Sequence, residues 1–227
     1  MRNDKRDAQI VATARTKSKG SEIWHRFRKN KGAIIGLAIL TILVLVALTV
    51  DLWLPEEKIS GFNVLEKLQK PSAQHIFGTD EVGRDLFWRT VYGTKYSLAI
   101  GFVAVMISAV IGVPLGAIAG YYGKAVETII MRLADIFSAI PSILLAIAIV
   151  SVLGRTTGNL MLAVGIAAVP QFTRITRASV LTVKNEEYVE AARALGKTDA
   201  YIIFKHILPN CLSPIIVQTT LRVASAI

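Results

Sequence analysis

The chain has 227 residues, 53% of them hydrophobic and 7% aromatic, with a mean hydropathy of +0.51 and a net charge of +10. A soluble domain of this length buries one good core without averaging so apolar, and the apolar residues here are clumped into runs, so the composition points to a membrane protein. The positive charge lies outside those runs, where membrane topology explains it ahead of nucleic-acid binding, and the single Cys211 excludes an intrachain disulfide.

Residues 1–32 are a polar, basic arm, with Arg2, Lys5, Arg6, Arg15, Lys17, Lys19, Arg26, Arg28, Lys29 and Lys31 against Asp4, Asp7 and Glu22. No charge follows from Ala33 to Val50, and Leu52 to Leu54 prolong the run past Asp51. A bilayer crossing needs about 20 mostly apolar residues, so residues 33–54 are a first transmembrane helix. The basic region is too long for a signal peptide, and no small-residue cleavage pattern follows it. Residues 55–96 form a polar segment with nearly balanced charge. Ser97–Gly120 is a second span, rich in Gly and Ala and carrying Pro114, and such small residues let helices approach closely in lipid. An amphipathic stretch leads into a third apolar body, Ile136–Leu153 with Pro141 inside, and a fourth run covers about Leu160–Phe172. A fifth begins near Ile207 and is still apolar at Ile227, an unusual way for a helix to end in hydrocarbon, so either the sequence is a fragment or the natural C-terminus is expected further on.

Basic residues set the orientation. The arm and the segment after the fourth run (Arg174, Arg177, Lys184, Arg193, Lys197, Lys205) are both rich in cations and are separated by four spans. The positive-inside rule puts both in the cytoplasm, with the N-terminus there and residues 55–96 external.

Between the fourth and fifth runs lies EYVEAARALGKTDAYIIFKHILPN, residues 187–210, longer and more ordered than a simple connection requires. Asn185 is a suitable N-cap, and Glu186 and Glu187 suit the positive end of a helix dipole. Tyr188, Ala191, Ala192 and Leu195 recur at i, i+3, i+4 and i+7, a single apolar stripe. Gly196 suits the left-handed position that ends such a helix, Thr198 caps a second helix whose apolar side is Ile202, Ile203, Phe204 and Ile207, and Pro209 stops it. The small alanines leave room for a bulky partner; periodicity equally permits a surface helix packed on its own membrane domain.

Glu190-Ala191-Ala192, three residues, Gly196, then Leu208-Pro209 resembles the EAA loop of ABC importer permeases, with His206 where that motif most often has isoleucine. HILPN in that place, and FGTDEVGRDLFWRTVYGTKYSL at residues 77–98, are similar to the dipeptide/oligopeptide/nickel permease family, specifically its C-type subunit. The resemblance implies an all-α polytopic transmembrane bundle of the type I ABC importer permease kind, in the cytoplasmic (inner) membrane, with five spans within this sequence and a sixth expected beyond it. It implies a permease core over residues 97–227 and a coupling loop over 186–209 in which Glu190, Ala191, Ala192, Gly196, His206, Leu208 and Pro209 meet the ATPase. The implied partners are a paralogous permease subunit, two ABC ATPase subunits that bind ATP and Mg, an extracytoplasmic solute-binding protein and membrane lipid, with no nucleic acid. No cofactor is expected in this chain, and the implied cargo is a peptide, with nickel or another small solute as the alternative. A Glu190 pair with a basic ATPase residue would contribute about 0–1 kcal/mol if exposed, so its value would lie in orientation.

Other constellations are weaker. Asp80, Glu81 and Asp85 beside Gly78 and Gly83 lack EF-hand spacing and read as a turn followed by a helix cap. His25, His75 and His206 lie far apart, without metal-site company. Gly123-Lys124 is followed by Ala125, without the glycine and Ser/Thr of a Walker A loop, so the chain itself is expected not to hydrolyse ATP. Asp135 near the third run and Arg222 inside the fifth are candidates for the substrate path, because ionisable groups in spans face the bundle interior or water. A membrane enzyme would want paired aspartates, Ser/His or HExxH within spans, and a free-standing channel or secondary transporter would gain nothing from a docking loop.

Overall fold

A computed structural model of the protein describes residues 24–226 apart from Arg26, Glu56 and Phe62, so most of the basic arm lies outside the described residues. The chain forms two compact units, one through Thr94 and one from Lys95.

In the first unit, α1 spans Lys31–Trp53. Asn30 caps it, its Oδ1 accepting from the Ala33 amide at 3.2 Å. The helix ends at Leu54, whose extended backbone is what Pro55 imposes on the residue before it. Most of its side chains, such as Ile42 and Leu48, are exposed, which suits a helix surrounded by hydrocarbon. The helix covers residues 33–53 of the run expected as the first span. A short helix α2, Glu57–Ser60, and a 3₁₀ turn, Val64–Glu66, follow. Asp80 then builds the predicted turn: its Oδ1 accepts from the amides of Val82 (3.0 Å) and Arg84 (2.9 Å), and its Oδ2 from Arg84 Nε at 2.8 Å. Burial pushes the Asp80 carboxyl up, but the two amides and the Arg84 guanidinium outweigh it and hold it at about 2, below its usual 3.8. Asp85 is the predicted cap, accepting from the amides of Phe87 (2.8 Å) and Trp88 (3.2 Å). That cap starts α3, Leu86–Tyr122, eleven residues before the apolar run that marked the second span. At 1.5 Å per residue its 37 residues measure about 56 Å, well over the ~30 Å of hydrocarbon.

In the second unit, the inner part of α3 lies against α6, Thr157–Val183. The seam is a stripe of glycines at every fourth position. A Cβ on Gly112 would sit 2.6 Å from Phe172 Cβ, one on Gly116 2.4 Å from the Thr173 carbonyl oxygen, and one on Gly120 2.8 Å from Val180 Cβ. The small residues of the second span therefore permit backbone-to-backbone approach, as expected. Pro114 sits within α3 and Pro170 within α6 without ending either helix.

The third apolar body departs from expectation. It is divided into α4, Lys124–Ala139, and α5, Ser142–Leu153, bent by 87°. Pro141 donates no hydrogen bond and forces Ile140 into extended backbone (φ −92°, ψ 126°), so the helix cannot continue. At 12 residues α5 is about 18 Å long, too short to cross alone. The chain then forms α7, Glu187–Ala194, and α8, Asp199–Ala226. By length and composition α1, α3 and α8 are each able to cross a membrane, with α4 and α5 together as a fourth crossing. The fourth apolar run lies in α6, whose C-terminal half carries Arg174 and Arg177 and dilutes its hydropathy.

Candidate functional site

The polar connection between α6 and α8 is built onto the bundle. Val189 and Ala192 of α7, Ile202, Ile203, Ile207, Cys211 and Ile215 of α8, Val180 of α6 and Ala117 of α3 form one buried cluster. The inward face of α7 is thus Val189–Ala192. Of the stripe expected from periodicity, only Ala192 is buried; Tyr188, Ala191 and Leu195 face outward, Leu195 being 77% exposed. Phe204 likewise departs from the inward side assigned to it and is 63% exposed. With Tyr201, also exposed, these residues form an apolar surface on an otherwise polar loop. Glu190 is exposed and has no ion-pair partner among the described residues.

Gly196 adopts the predicted left-handed conformation, φ +70°. Its amide donates to the Arg193 carbonyl (3.0 Å) and the Lys197 amide to the Ala192 carbonyl (3.2 Å), the paired closure of a Schellman motif. At the start of α7 the cap is Glu186 in place of the expected Asn185, and its side chain makes no capping bond. Thr198 does cap α8, its Oγ1 accepting from the Tyr201 amide. Three contacts tie the loop to the end of α3: the Tyr121 hydroxyl donates to Asp199 Oδ1 at 2.8 Å, the Arg193 guanidinium lies 5.7 Å from the Tyr121 ring centroid, and Lys184 Nζ donates to the Gly120 carbonyl at 3.1 Å.

Pro209 does not stop the second helix. The helix widens to a π turn over Ile202–Ile207, with the Leu208 amide donating five residues back to Ile203, then tightens to 3₁₀ over Leu208–Cys211 and continues as α-helix through Leu212–Ala226. The wide turn makes room for the proline ring where an α turn would press it on the preceding carbonyls. The freed His206 carbonyl accepts from Asn210 Nδ2 at 2.7 Å. The half-buried His206 ring lies between Tyr201 and Tyr188, with centroids 5.5 and 6.5 Å away.

The two candidates for the substrate path lie apart. Asp135 on α4 pairs with Arg174 of α6, Nη2 to Oδ1 at 2.9 Å, one of two ion pairs between these helices; the other joins Glu127 and Arg177. Arg222 lines a cavity of about 540 Å³ bounded by α3, α5, α6 and α8, to which Arg155 also contributes. Asp135 is not among its lining residues.

Residues 112–227 match the family described as the binding-protein-dependent transport system inner membrane component, and residues 18–71 match the N-terminal TM domain of oligopeptide transport permease C. The dipeptide transport system permease protein DppC of Alkalihalophilus pseudofirmus is 48% identical over 206 residues, covering 91% of this chain and 67% of the relative. DppC of Haemophilus influenzae is 38% identical, over 91% of this chain and 72% of the relative. The chain belongs to the binding-protein-dependent permease family. Its amino-terminal match is to the C-type member, as the resemblance implied. The glutathione transport system permease protein GsiD of Escherichia coli is also similar, at 38% identity over 96% of this chain and 72% of its own length. An inward-facing structure of the MetNI methionine ABC transporter superposes with a TM-score of 0.55 over 62% of this chain and 71% of that one, at 24% identity, and so supports the permease fold. This is a multi-pass membrane permease.

Within this permease, sequence reasoning missed the contacts that hold the loop to the bundle. Tyr121 and Asp199 are 78 residues apart, and Glu127 and Arg177 are 50 apart. The one legible signal was the charge itself: carboxylates on the flank of an apolar helix need a partner.

Proposed function

We propose that this chain is a permease subunit of an ATP-driven importer of di- and oligopeptides, and that the 186–209 loop is where partner ATPases act on it. The observation that carries the proposal is the loop's construction. Val189 and Ala192 are fused to the ends of α3, α6 and α8, while Tyr188, Ala191, Leu195 and Phe204 stay bare. A docking element transmits motion only if it is stiff and anchored. The Gly196 closure and the Tyr121–Asp199 and Lys184–Gly120 bonds supply both properties. Peptide cargo is supported by the relatives, which are named as dipeptide, di/tripeptide and glutathione permeases.

In this reading Glu190, Ala191, Ala192, Gly196, His206, Leu208 and Pro209 belong to the coupling loop. The exposed members meet the ATPase, and Ala192, Leu208 and Pro209 set the angle between loop and α8. Closure of two ATPases on ATP and Mg pulls the loop, and the pull reaches α3, α6 and α8 together through the shared cluster. A second, related permease subunit completes the path, and a solute-binding protein delivers the peptide on the extracytoplasmic face. The N-terminal arm and the loop lie in the cytoplasm. The chain carries no cofactor of its own.

The test is assembly and uptake. An Ala191→Cys variant, co-expressed with its partner subunits, is expected to cross-link to an ATPase subunit and to support ATP-dependent peptide uptake into proteoliposomes. Peptide uptake without any ATPase would overturn the reading.

A further inference from the structure

The 540 Å³ cavity is within the size range of small-molecule sites, about 300–1,000 Å³, and has room for a short peptide. Its charge is one-sided. Arg155 and Arg222 both line it, and no acidic side chain does. Neither guanidinium has a carboxylate within ion-pair reach among the described residues, whereas Arg174 and Arg177 each have one. The hydroxyl-bearing Ser142, Ser151 and Ser225 share the wall, and the remainder is aliphatic.

An arginine on a membrane-crossing helix is costly unless it is paired or faces water. Arg222 lies on such a helix, α8, and lines a cavity. Arg222 is half-buried and Arg155 exposed, so two like charges border one cavity without a carboxylate between them, and an entering anion is attracted by both. A guanidinium presents a planar fork that matches a carboxylate bidentately, a match that neither lysine nor a hydroxyl reproduces.

We propose that Arg155 and Arg222 form an anion subsite in this cavity that receives the C-terminal carboxylate of a peptide in transit. The inference rests on the peptide reading given above and adds a selectivity to it. The cavity has a counterpart for the cargo's carboxylate and none for its ammonium group, so the subsite discriminates at one end of the peptide only. A C-terminal amide passes poorly, while an N-acetyl group is tolerated. The Ser151 and Ser225 hydroxyls already donate to the Ile147 and Arg222 carbonyls, which leaves the Ser142 hydroxyl to donate to a carboxylate oxygen that the guanidinium forks leave open.

The experiment uses the complete transporter in proteoliposomes, with binding protein and ATPases. Uptake of one dipeptide is compared with that of its C-terminal amide and its N-acetyl form. The solute-binding protein imposes its own preference, so the readout is the acid-to-amide uptake ratio, wild type against variant, with the binding protein held constant. Arg222→Gln and Arg155→Gln are expected to lower that ratio about 10-fold, the scale of one charge-assisted hydrogen bond, and Arg222→Lys to lower it less. The acid-to-acetyl ratio stays unchanged.

A second measurement needs no variant. Labelling of Arg155 and Arg222 by phenylglyoxal in the wild-type complex, followed by mass spectrometry, should be slowed by the free-acid peptide and not by the amide. Equal protection by acid and amide, no protection by either, or an acid-to-amide ratio untouched by both Gln variants would overturn the subsite. Wild-type complex that takes up none of the three peptides would instead overturn the peptide reading itself.

Discussion

Gly116→Ala adds one methyl group to α3 at the point where α6 lies closest. Its Cβ would stand 2.4 Å from the Thr173 carbonyl oxygen and 2.7 Å from Thr176 Cβ, where ordinary contact begins at 3.4 Å. The helices must therefore separate by about 1 Å. Thr173 and its neighbours cannot turn aside, because the obstructing atom is backbone and Gly112 and Gly120 hold the same seam one turn to either side. A gap of 0.5–1 Å forfeits a quarter to a half of each dispersion contact along the seam, and over-packing of this kind costs about 1–3 kcal/mol. Alanine also raises helix propensity by about 1 kcal/mol, which obscures the penalty in isolation. Gly93→Ala removes that ambiguity: it lies in the same helix with nothing within 4 Å of its Cβ, so the propensity gain is common to both variants and their difference isolates the clash. The expected difference is about 1–3 kcal/mol, roughly a 5- to 150-fold shift in the unfolding equilibrium. The assay is loss of helicity on SDS titration in mixed micelles. Equal midpoints for Gly116→Ala and Gly93→Ala would refute the close-packed seam.

Three further outcomes follow from the same geometry. Gly196→Val meets no atom within 4 Å but must hold φ +70°, a backbone strain of about 1–3 kcal/mol; membrane insertion should persist while ATPase co-purification and uptake fall, and wild-type uptake would refute the hinge. Asp80 titrates near 2 in the folded state against 3.8 in the unfolded, so its contribution is complete above about pH 4 and lost as pH falls through 2. In a chain whose only tryptophan is Trp88, fluorescence should hold from pH 7 to about 4 and then change, whereas Asp80→Asn should show the altered signal already at pH 7; an unchanged Asp80→Asn signal at neutral pH would count against the turn. A cysteine at Gln74 should react with an impermeant thiol reagent applied to intact cells and one at Ala194 should not, against a quiet background because Cys211 is buried. The reverse pattern would overturn the orientation.

Local chemistry was readable from local sequence. The Asp80 turn, the Asp85 and Thr198 caps, and the left-handed Gly196 each depend on atoms within a few residues, and each formed as the residue types required. The Gly and Ala content of the second span likewise pointed to a close helix contact, although not to its partner or to the four-residue glycine stripe that makes it.

The prolines mark where that reasoning ends. Pro114 and Pro170 lie inside continuous helices, Pro141 stands at an 87° bend, and Pro209 is passed through a π turn. The intrinsic defect is the same in all four cases, a missing donor and a ring against the preceding turn. The residue type at the proline therefore does not decide which outcome follows; beside Pro209 the His206 carbonyl accepts from the side chain of the neighbouring Asn210. The same holds for α7, where period alone gave an apolar stripe over Tyr188, Ala191, Ala192 and Leu195. The bundle instead buried Val189 with Ala192, because the pocket formed by Val180, Ile202 and Ile207 accepts that edge of the helix. The sequence by itself determined the apolar runs, the Asp85 and Thr198 caps and the left-handed Gly196, but not the Asn185 cap or the break at Pro141. The tertiary structure decided which faces meet and which cations are left without a carboxylate, since both depend on partners tens of residues away along the chain.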